Sequence, residues 1–318
     1  MRWWLLLALV GCAGDYELGV EVGRAVVPNP RPEEPVIQED RIRQVGVPAV
    51  DVLWVVDNSC SMWEEQRAVA ANYPSFVEYF VESELDYHVG VVSTDMRDPG
   101  HKGRLRQVGG RRFITTATPD AHDVFADMVM VGIDGHWDER GFEAAYTAVD
   151  VEAQRYNVGF LRPDAVLHVI VISDENDYSA WTPEEFASWL GTSKWTSGIV
   201  SFSSIVGVTA ECPSVVEPGS DYLEVTRRVG GVVRSICADD WAEVLRAMGR
   251  EVVLPKSEFF LSTLPVAETV EVEVHHDGLV LRFERDVDWV YDAHRNSVRF
   301  LEYVPDPRSW VVIRYARL

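Results

Sequence analysis

Two short polar runs hold the residues best suited to chemistry. Asp57-Asn58-Ser59-Cys60-Ser61 follows the apolar run Asp51–Val56, and Asp174-Glu175-Asn176-Asp177 follows Ala165–Ser173. Carboxylate and hydroxyl oxygens are hard ligands. Asp57, Ser59, Ser61 and Asp174 together could hold Mg²⁺, or Mn²⁺ or Ca²⁺, and leave one coordination position open. Two serines two residues apart reach one ion only where the chain turns sharply, as at the end of a strand. Each piece also has a plainer use, since Asp and Ser commonly cap helices and Ser61 could cap the helix that follows.

The surrounding pattern supplies the elements that must position these residues. Asp51–Val56 is almost continuously apolar, as a central parallel strand covered on both faces must be. A helical stretch over 62–83 follows it, then a strand over Tyr87–Ser93. Ala165–Ser173 and 199–206 are further strands, separated by a helix near Pro183–Leu190. Val232–Ile236 is a last strand, between helical segments at Tyr222–Val229 and Asp240–Met248. Strands alternating with helices predict an α/β fold, a doubly wound and mostly parallel sheet flanked by helices. Ligands collect beyond the carboxyl ends of such strands, where both acidic runs lie.

Asp-x-Ser-x-Ser after the first buried strand, with a second Asp after a later one, resembles the metal-ion-dependent adhesion site of von Willebrand factor A (vWA) domains. The resemblance covers about residues 50–250 and implies that Asp57, Ser59, Ser61 and Asp174 hold Mg²⁺. It also implies a protein partner whose Asp or Glu completes the metal shell. The family places a Thr on an intervening loop. Here that loop is Val131–Glu143, which contains neither Thr nor Ser. The Thr position falls on or near His136, a better ligand for Mn²⁺, Zn²⁺ or Ni²⁺ than for Mg²⁺. Asp134, Asp138 and Glu139 are the oxygen donors that could substitute. Thr94-Asp95 belongs to a different loop, after the second strand.

The amino terminus bears on location. Arg2 precedes an apolar run, Trp3–Val10, too short to span a bilayer, and Leu9-Val10-Gly11-Cys12 resembles a bacterial lipobox. Residues 1–12 are then a lipoprotein leader, and acylated Cys12 a lipid anchor in the outer membrane or at the cell surface of a Gram-negative bacterium. Residues 13–49 carry Pro28, Pro30, Pro32 and Pro35 among acidic residues and read as an extended tether. An exported compartment favours pairing Cys212 with Cys237, worth about 3.5 kcal/mol for a loop of this size. Cys60 is left as a free thiol.

Residues 50–253 form the vWA-like region. From Ser257 to the end at residue 318 the alternation shortens. Val270, Val272 and Val274 alternate, and Asp277-Gly278 marks a two-residue hairpin. Further short strands are expected at Asp288–Asp292, Ser297–Tyr303 and Trp310–Ala316, which predicts a small immunoglobulin-like antiparallel β domain. His275 and His276 point to opposite faces, as solvated neighbours on an edge strand.

Composition narrows the function classes. The chain has 318 residues, 47% hydrophobic, with 29 basic against 51 acidic residues and a net charge of −22. Such a chain is repelled by nucleic-acid phosphates. Neither a nucleophile elbow nor a P-loop occurs, and Ser59 stands where an Asp-x-Asp phosphohydrolase needs its second Asp. A non-enzymatic envelope protein that binds a partner through a divalent cation is the leading expectation. The alternatives are a metal-independent structural protein with a degenerate site and a metal-dependent phosphoester hydrolase.

Overall fold

A computed structural model describes residues 35–44, 49–82, 85–193, 200–210, 212–253, 257–306 and 309–318. The leader, Cys12 and the tether up to residue 34 lie outside the described residues.

Six strands form the central sheet: β2 (Ala49–Val56), β3 (Asp86–Ser93), β4 (Ile114–Thr115), β5 (Val166–Ser173), β6 (Val200–Val206) and β7 (Val233–Ser235). Their order is β4-β3-β2-β5-β6-β7, and every pairing is parallel except that of β4 with β3. The chain winds outward from β2 in both directions, the doubly wound arrangement expected from the alternating pattern.

Burial on both faces explains why β2 is apolar along almost its whole length. Val50, Val52, Trp54 and Val56 face a layer containing helices α1 (Trp63–Glu82), α2 (Ala121–Val129) and α6 (Trp241–Val253). Leu53 and Val55 face the opposite layer, with α3 (Gly141–Tyr146), α4 (Pro183–Thr192) and α5 (Ser220–Val229). Trp54 is fully buried and meets Phe76 edge-on at 5.2 Å and Phe125 at 5.7 Å. Thr182 caps α4 through a reciprocal capping box with Glu185. The strands and helices expected from the sequence lie within a few residues of those observed, apart from α6, which runs on to Val253, while β4 and α2 were not expected.

The carboxy-terminal part is a two-sheet antiparallel module. Strands β9 (Glu271–His276), β10 (Leu279–Phe283) and β13 (Trp310–Ala316) lie in one sheet, and β8 (Glu258–Phe260), β11 (Trp289–Asp292) and β12 (Ser297–Phe300) form the other. Val272, Val274, Ile313 and Tyr315 from the first sheet share a core with Phe259, Trp289, Val298 and Phe300 from the second. Asp277 (φ 46°) and Gly278 (φ 81°) make the two-residue turn between β9 and β10, both in the left-handed region that such a turn requires. β9 lies between β13 and β10, so His275 and His276 are on an inner strand and not on an edge. His275 bonds to Glu273, and His276 to Ser309.

The structure corrects the tether over its last part. Ile37–Arg43 is a strand, β1, paired antiparallel with β13 as the outer member of the four-stranded sheet. Proline and charge in the segment before it hid an alternation that places Asp40 and Ile42 inward. Ile42 is 2% exposed in the module core. The Asp40 carboxylate accepts hydrogen bonds from the Ser262 amide (2.8 Å), the Ser262 hydroxyl (2.6 Å) and the Tyr315 hydroxyl (2.8 Å). Glu39, on the outer face, pairs with Arg314.

Ile42→Ala should therefore lower unfolding stability by about 2–5 kcal/mol, as expected for an Ile removed from a packed core. Urea denaturation followed by tryptophan fluorescence measures this. A solvated tether residue would leave the midpoint unchanged.

Candidate metal centre

Neighbouring parallel strands end on the same edge of the sheet, so three polar strand ends meet there. Asp57 directly follows β2, Thr94-Asp95 follows β3 and Asp174 follows β5. β3, β2 and β5 are adjacent, and the chain reverses its winding at β2, where α/β sheets open a binding crevice.

Asp57 is fully buried and held at both oxygens. Its Oδ1 accepts the Ser59 amide at 2.7 Å, and its Oδ2 accepts the Ser173 hydroxyl at 2.6 Å. The Ser59 amide bond is the sharp turn that the two-residue serine spacing needs. It brings the Ser59 and Ser61 hydroxyls within 3.2 Å of each other. The Met62 amide reaches the Ser59 carbonyl at 3.2 Å as the chain enters α1. Gln66, one turn into α1, donates to the Asp57 carbonyl (2.9 Å) and the Gly132 carbonyl (2.8 Å) and so ties the turn to the 131–143 loop. Gly135 of that loop lies so close to Asn58 that a Cβ would sit 2.6 Å from its atoms. The Gly135 amide donates to the Asn58 carbonyl at 2.9 Å.

The 131–143 loop divides the residues expected from it. Glu139 turns inward, is fully buried and accepts a hydrogen bond from the Thr94 hydroxyl. The Thr94 hydroxyl also lies 3.5 Å from Asn58 Oδ1. Asp138, one of the oxygen donors of this loop, is already paired with two guanidinium groups, and His136 meets it through Nδ1. Arg97 grips Asp138 at 2.8 and 2.6 Å, Arg140 adds a contact at 2.8 Å, and His136 Nδ1 pairs with the same carboxylate. The Arg97 hydrogen bond, with help from Arg140, holds the Asp138 carboxyl well below the usual range. A carboxylate so fully paired has little left for a metal.

The buried carboxylates behave in the opposite way. Burial pushes Asp57 up, against the lowering effect of its bonds to Ser173 and Ser59. Burial, reinforced by the charge of Asp57, pushes Glu139 up to about 9. Burial and Asp57 likewise push Asp174 up to about 7, although the Ser61 hydroxyl opposes the shift. Glu139 Oε1 and Asp174 Oδ1 are buried without a hydrogen-bond partner, as is Oε2 of the nearby Glu65. Carboxylates brought together out of water, without a basic partner, fit a cation well. Among the described residues, no three His, Cys, Asp or Glu side chains already converge as a cage. A cation here would draw on serine hydroxyls as well as carboxylates.

Sequence reading passed over several residues of this edge. Thr94 lies on a different loop in sequence, yet β3 and β2 end side by side. Ser173 is the last residue of β5, and Glu65 lies in the first turn of α1. Asp177, 7% exposed, locks the edge by accepting the Phe142 amide (3.0 Å), the Ser179 amide (2.9 Å) and the Tyr222 hydroxyl (3.2 Å). Cys212 and Cys237 form the expected disulfide. It tethers the loop whose Val216 and Glu217 amides cap the Asp174 carbonyl at 2.9 and 3.0 Å. Cys60 is an exposed free thiol.

The raised carboxyls set a direction for stability. A carboxyl with a raised folded pKa binds its proton more tightly in the native state, so ionising it costs stability as pH rises. In chelator, stability should fall between about pH 4 and 7 through Asp174, and between about pH 4.5 and 9 through Glu139. Glu139→Gln should flatten the fall above pH 7, measured as melting temperature against pH in EDTA.

A scan against protein-family models finds no match, and a search of curated proteins finds none either. Among solved structures, the chain is similar to proximal thread matrix protein 1 from the mussel byssus, in a form with a zinc-occupied MIDAS motif. Identity is 13% and TM-score 0.37, over 66% of this chain and 48% of that one. It is also similar to the ArnB paralog VWA2 from Sulfolobus acidocaldarius, at 8% identity and TM-score 0.37 over 90% and 63%. A third is the pilus adhesin SpaC from Lactobacillus rhamnosus GG, at 9% identity and TM-score 0.39 over 90% and 41%. The chain thus spans less than two thirds of the length of each. At these values the likenesses bear on neither ligand nor partner, and the doubly wound α/β fold stands on the strand order itself.

Proposed function

We propose that this chain is a cell-envelope protein that binds a protein partner through a divalent-cation site on a vWA-like α/β body. The observation that carries the reading is the pair of buried carboxylate oxygens without partners, Glu139 Oε1 and Asp174 Oδ1, beside fully buried Asp57. Asp57, Ser59, Ser61 and Asp174 would hold the ion, with Glu139 as a further carboxylate in place of the hydroxyl that the 131–143 loop lacks. A bound Mg²⁺, Mn²⁺ or Ca²⁺ would neutralise buried charge and present an open coordination position. The protein's own share is positional. Ser173 fixes the Asp57 carboxylate, Thr94 fixes Glu139, and the disulfide-tethered loop fixes Asp174.

For location, we propose anchoring through acylated Cys12 at the outer membrane or cell surface. The Cys212–Cys237 disulfide supports an oxidising compartment. No helix among the described residues is long and apolar enough to cross a membrane. A second reading, a metal-independent envelope scaffold, is favoured by the lack of a ready three-residue cage among the described residues.

Titration with Mg²⁺ or Mn²⁺ at pH 8 should raise the melting temperature in a saturable way. Asp57→Asn and Asp174→Asn should each abolish that rise. A melting temperature indifferent to both ions in the unaltered chain would favour the second reading.

A further inference from the structure

The two outer strands of the four-stranded sheet are built differently. β1 turns Glu39, Arg41 and Arg43 to solvent, and charges of that kind blunt an open edge against further pairing. β10, at the other end of the order β1-β13-β9-β10, reads Leu279-Val280-Leu281-Arg282-Phe283. Leu279, Val280 and Leu281 are 66, 52 and 43% exposed. Among the described residues no strand lies on the outer side of β10.

The backbone of that edge is equally open. Leu279 pairs with His276 across the Asp277-Gly278 turn, and a two-residue turn is closed by a hydrogen-bonded pair. Antiparallel pairs alternate, so Leu281 and Phe283 also bond to β9, while Val280 and Arg282 direct their amides and carbonyls away from it. Leu281 shares a face with its partner Val274, which is fully buried in the module core, and Phe283 shares that face with Val272. Phe283 is covered there, meeting Tyr303 at 4.7 Å and Phe300 at 5.0 Å. Leu279 and Leu281 lie on the core-facing side yet remain open to solvent. On the opposite face Arg282 is bonded to Glu273 at 3.0 Å.

We propose that β10 is a self-association seam, pairing antiparallel with β10 of a second copy about a two-fold axis at Leu281. In that register Val280 of each copy faces Arg282 of the other, so the outward amides and carbonyls of both bond across the seam. Leu281 meets Leu281 and Leu279 meets Phe283, apolar against apolar on the core-facing side. The same register sets Asp277 of each copy across from Arg285 of the other, acid against base at both ends, with the Asp277 side chain 88% exposed. This match of the edge to itself is what favours a second copy as the occupant. A seam this short is small against the about 1,200 Å² that stable interfaces bury, so the dimer is a weak one. The inference is independent of the cation reading above.

Sedimentation equilibrium of the full chain should show a reversible monomer–dimer equilibrium in the micromolar to millimolar range. Val280→Pro removes the outward amide without touching the β9 ladder, at a kind of position where an edge strand tolerates proline. It should weaken dimerisation by at least about tenfold, since each copy loses an amide donor to the seam, and leave the melting temperature unchanged. Cross-linking in a Cys12→Ser, Cys60→Ser background reads the register. Facing residues of a non-hydrogen-bonded pair are close enough for a disulfide, so Leu281→Cys should oxidise to a covalent dimer and Leu279→Cys should not. A chain that stays monomeric throughout the range would overturn the proposal, as would a dimer indifferent to Val280→Pro. Equal cross-linking of the two cysteine variants would overturn it as well.

Discussion

The constraint on which the rest depends is the burial of several carboxyl groups at the carboxyl edge of a parallel sheet. Asp57, Glu139 and Asp174 are each at most 1% exposed, and burial is the largest influence on each, with the charge of Asp57 adding to it at Glu139 and Asp174. Such an arrangement persists only if the scaffold over-determines it. The turn at Ser59, the Gln66 clamp, the contact of Gly135 with Asn58 and the Asp177 lock are rigid local devices that hold it. The apolar layers on both faces of β2 provide the stability against which that unfavourable charge is maintained.

Neighbouring residues on the 131–143 loop show how local geometry sorts charge. Asp138 and Glu139 are adjacent in sequence, and both are buried. Asp138 meets two guanidinium groups and is held ionised, whereas Glu139 meets only the Thr94 hydroxyl and other acids. The first is a structural clasp closing the loop onto Arg97. The second is an unsatisfied acid facing the candidate ion position. Composition cannot distinguish the two roles, because the difference lies in which way each side chain turns.

This explains how far the sequence could be read. The α/β body was legible because burial on both faces leaves an unmistakable apolar run, and the Asp277-Gly278 turn because few residues tolerate its backbone. Asp57 and Asp174 were legible because they end such runs. Thr94 was missed because its membership depends on strand order, which a linear pattern does not encode. β1 was missed for a related reason. Its alternation is short and rich in charge, and its partner β13 lies at the other end of the chain.

That pairing has a mechanical meaning. β1 is the first element after the segment read as a tether, and seven registered residue pairs, from Ile37–Ala316 to Arg43–Trp310, join it to β13. A pull along the strand loads those pairs in parallel, as shear, and does not open them one at a time. The buried Asp40 bonds to Ser262 and Tyr315 add a polar pin to the same seam. The β module is therefore closed by one strand from before the α/β body and others from after it, so its sheet forms only when both flanking segments of the chain are in place.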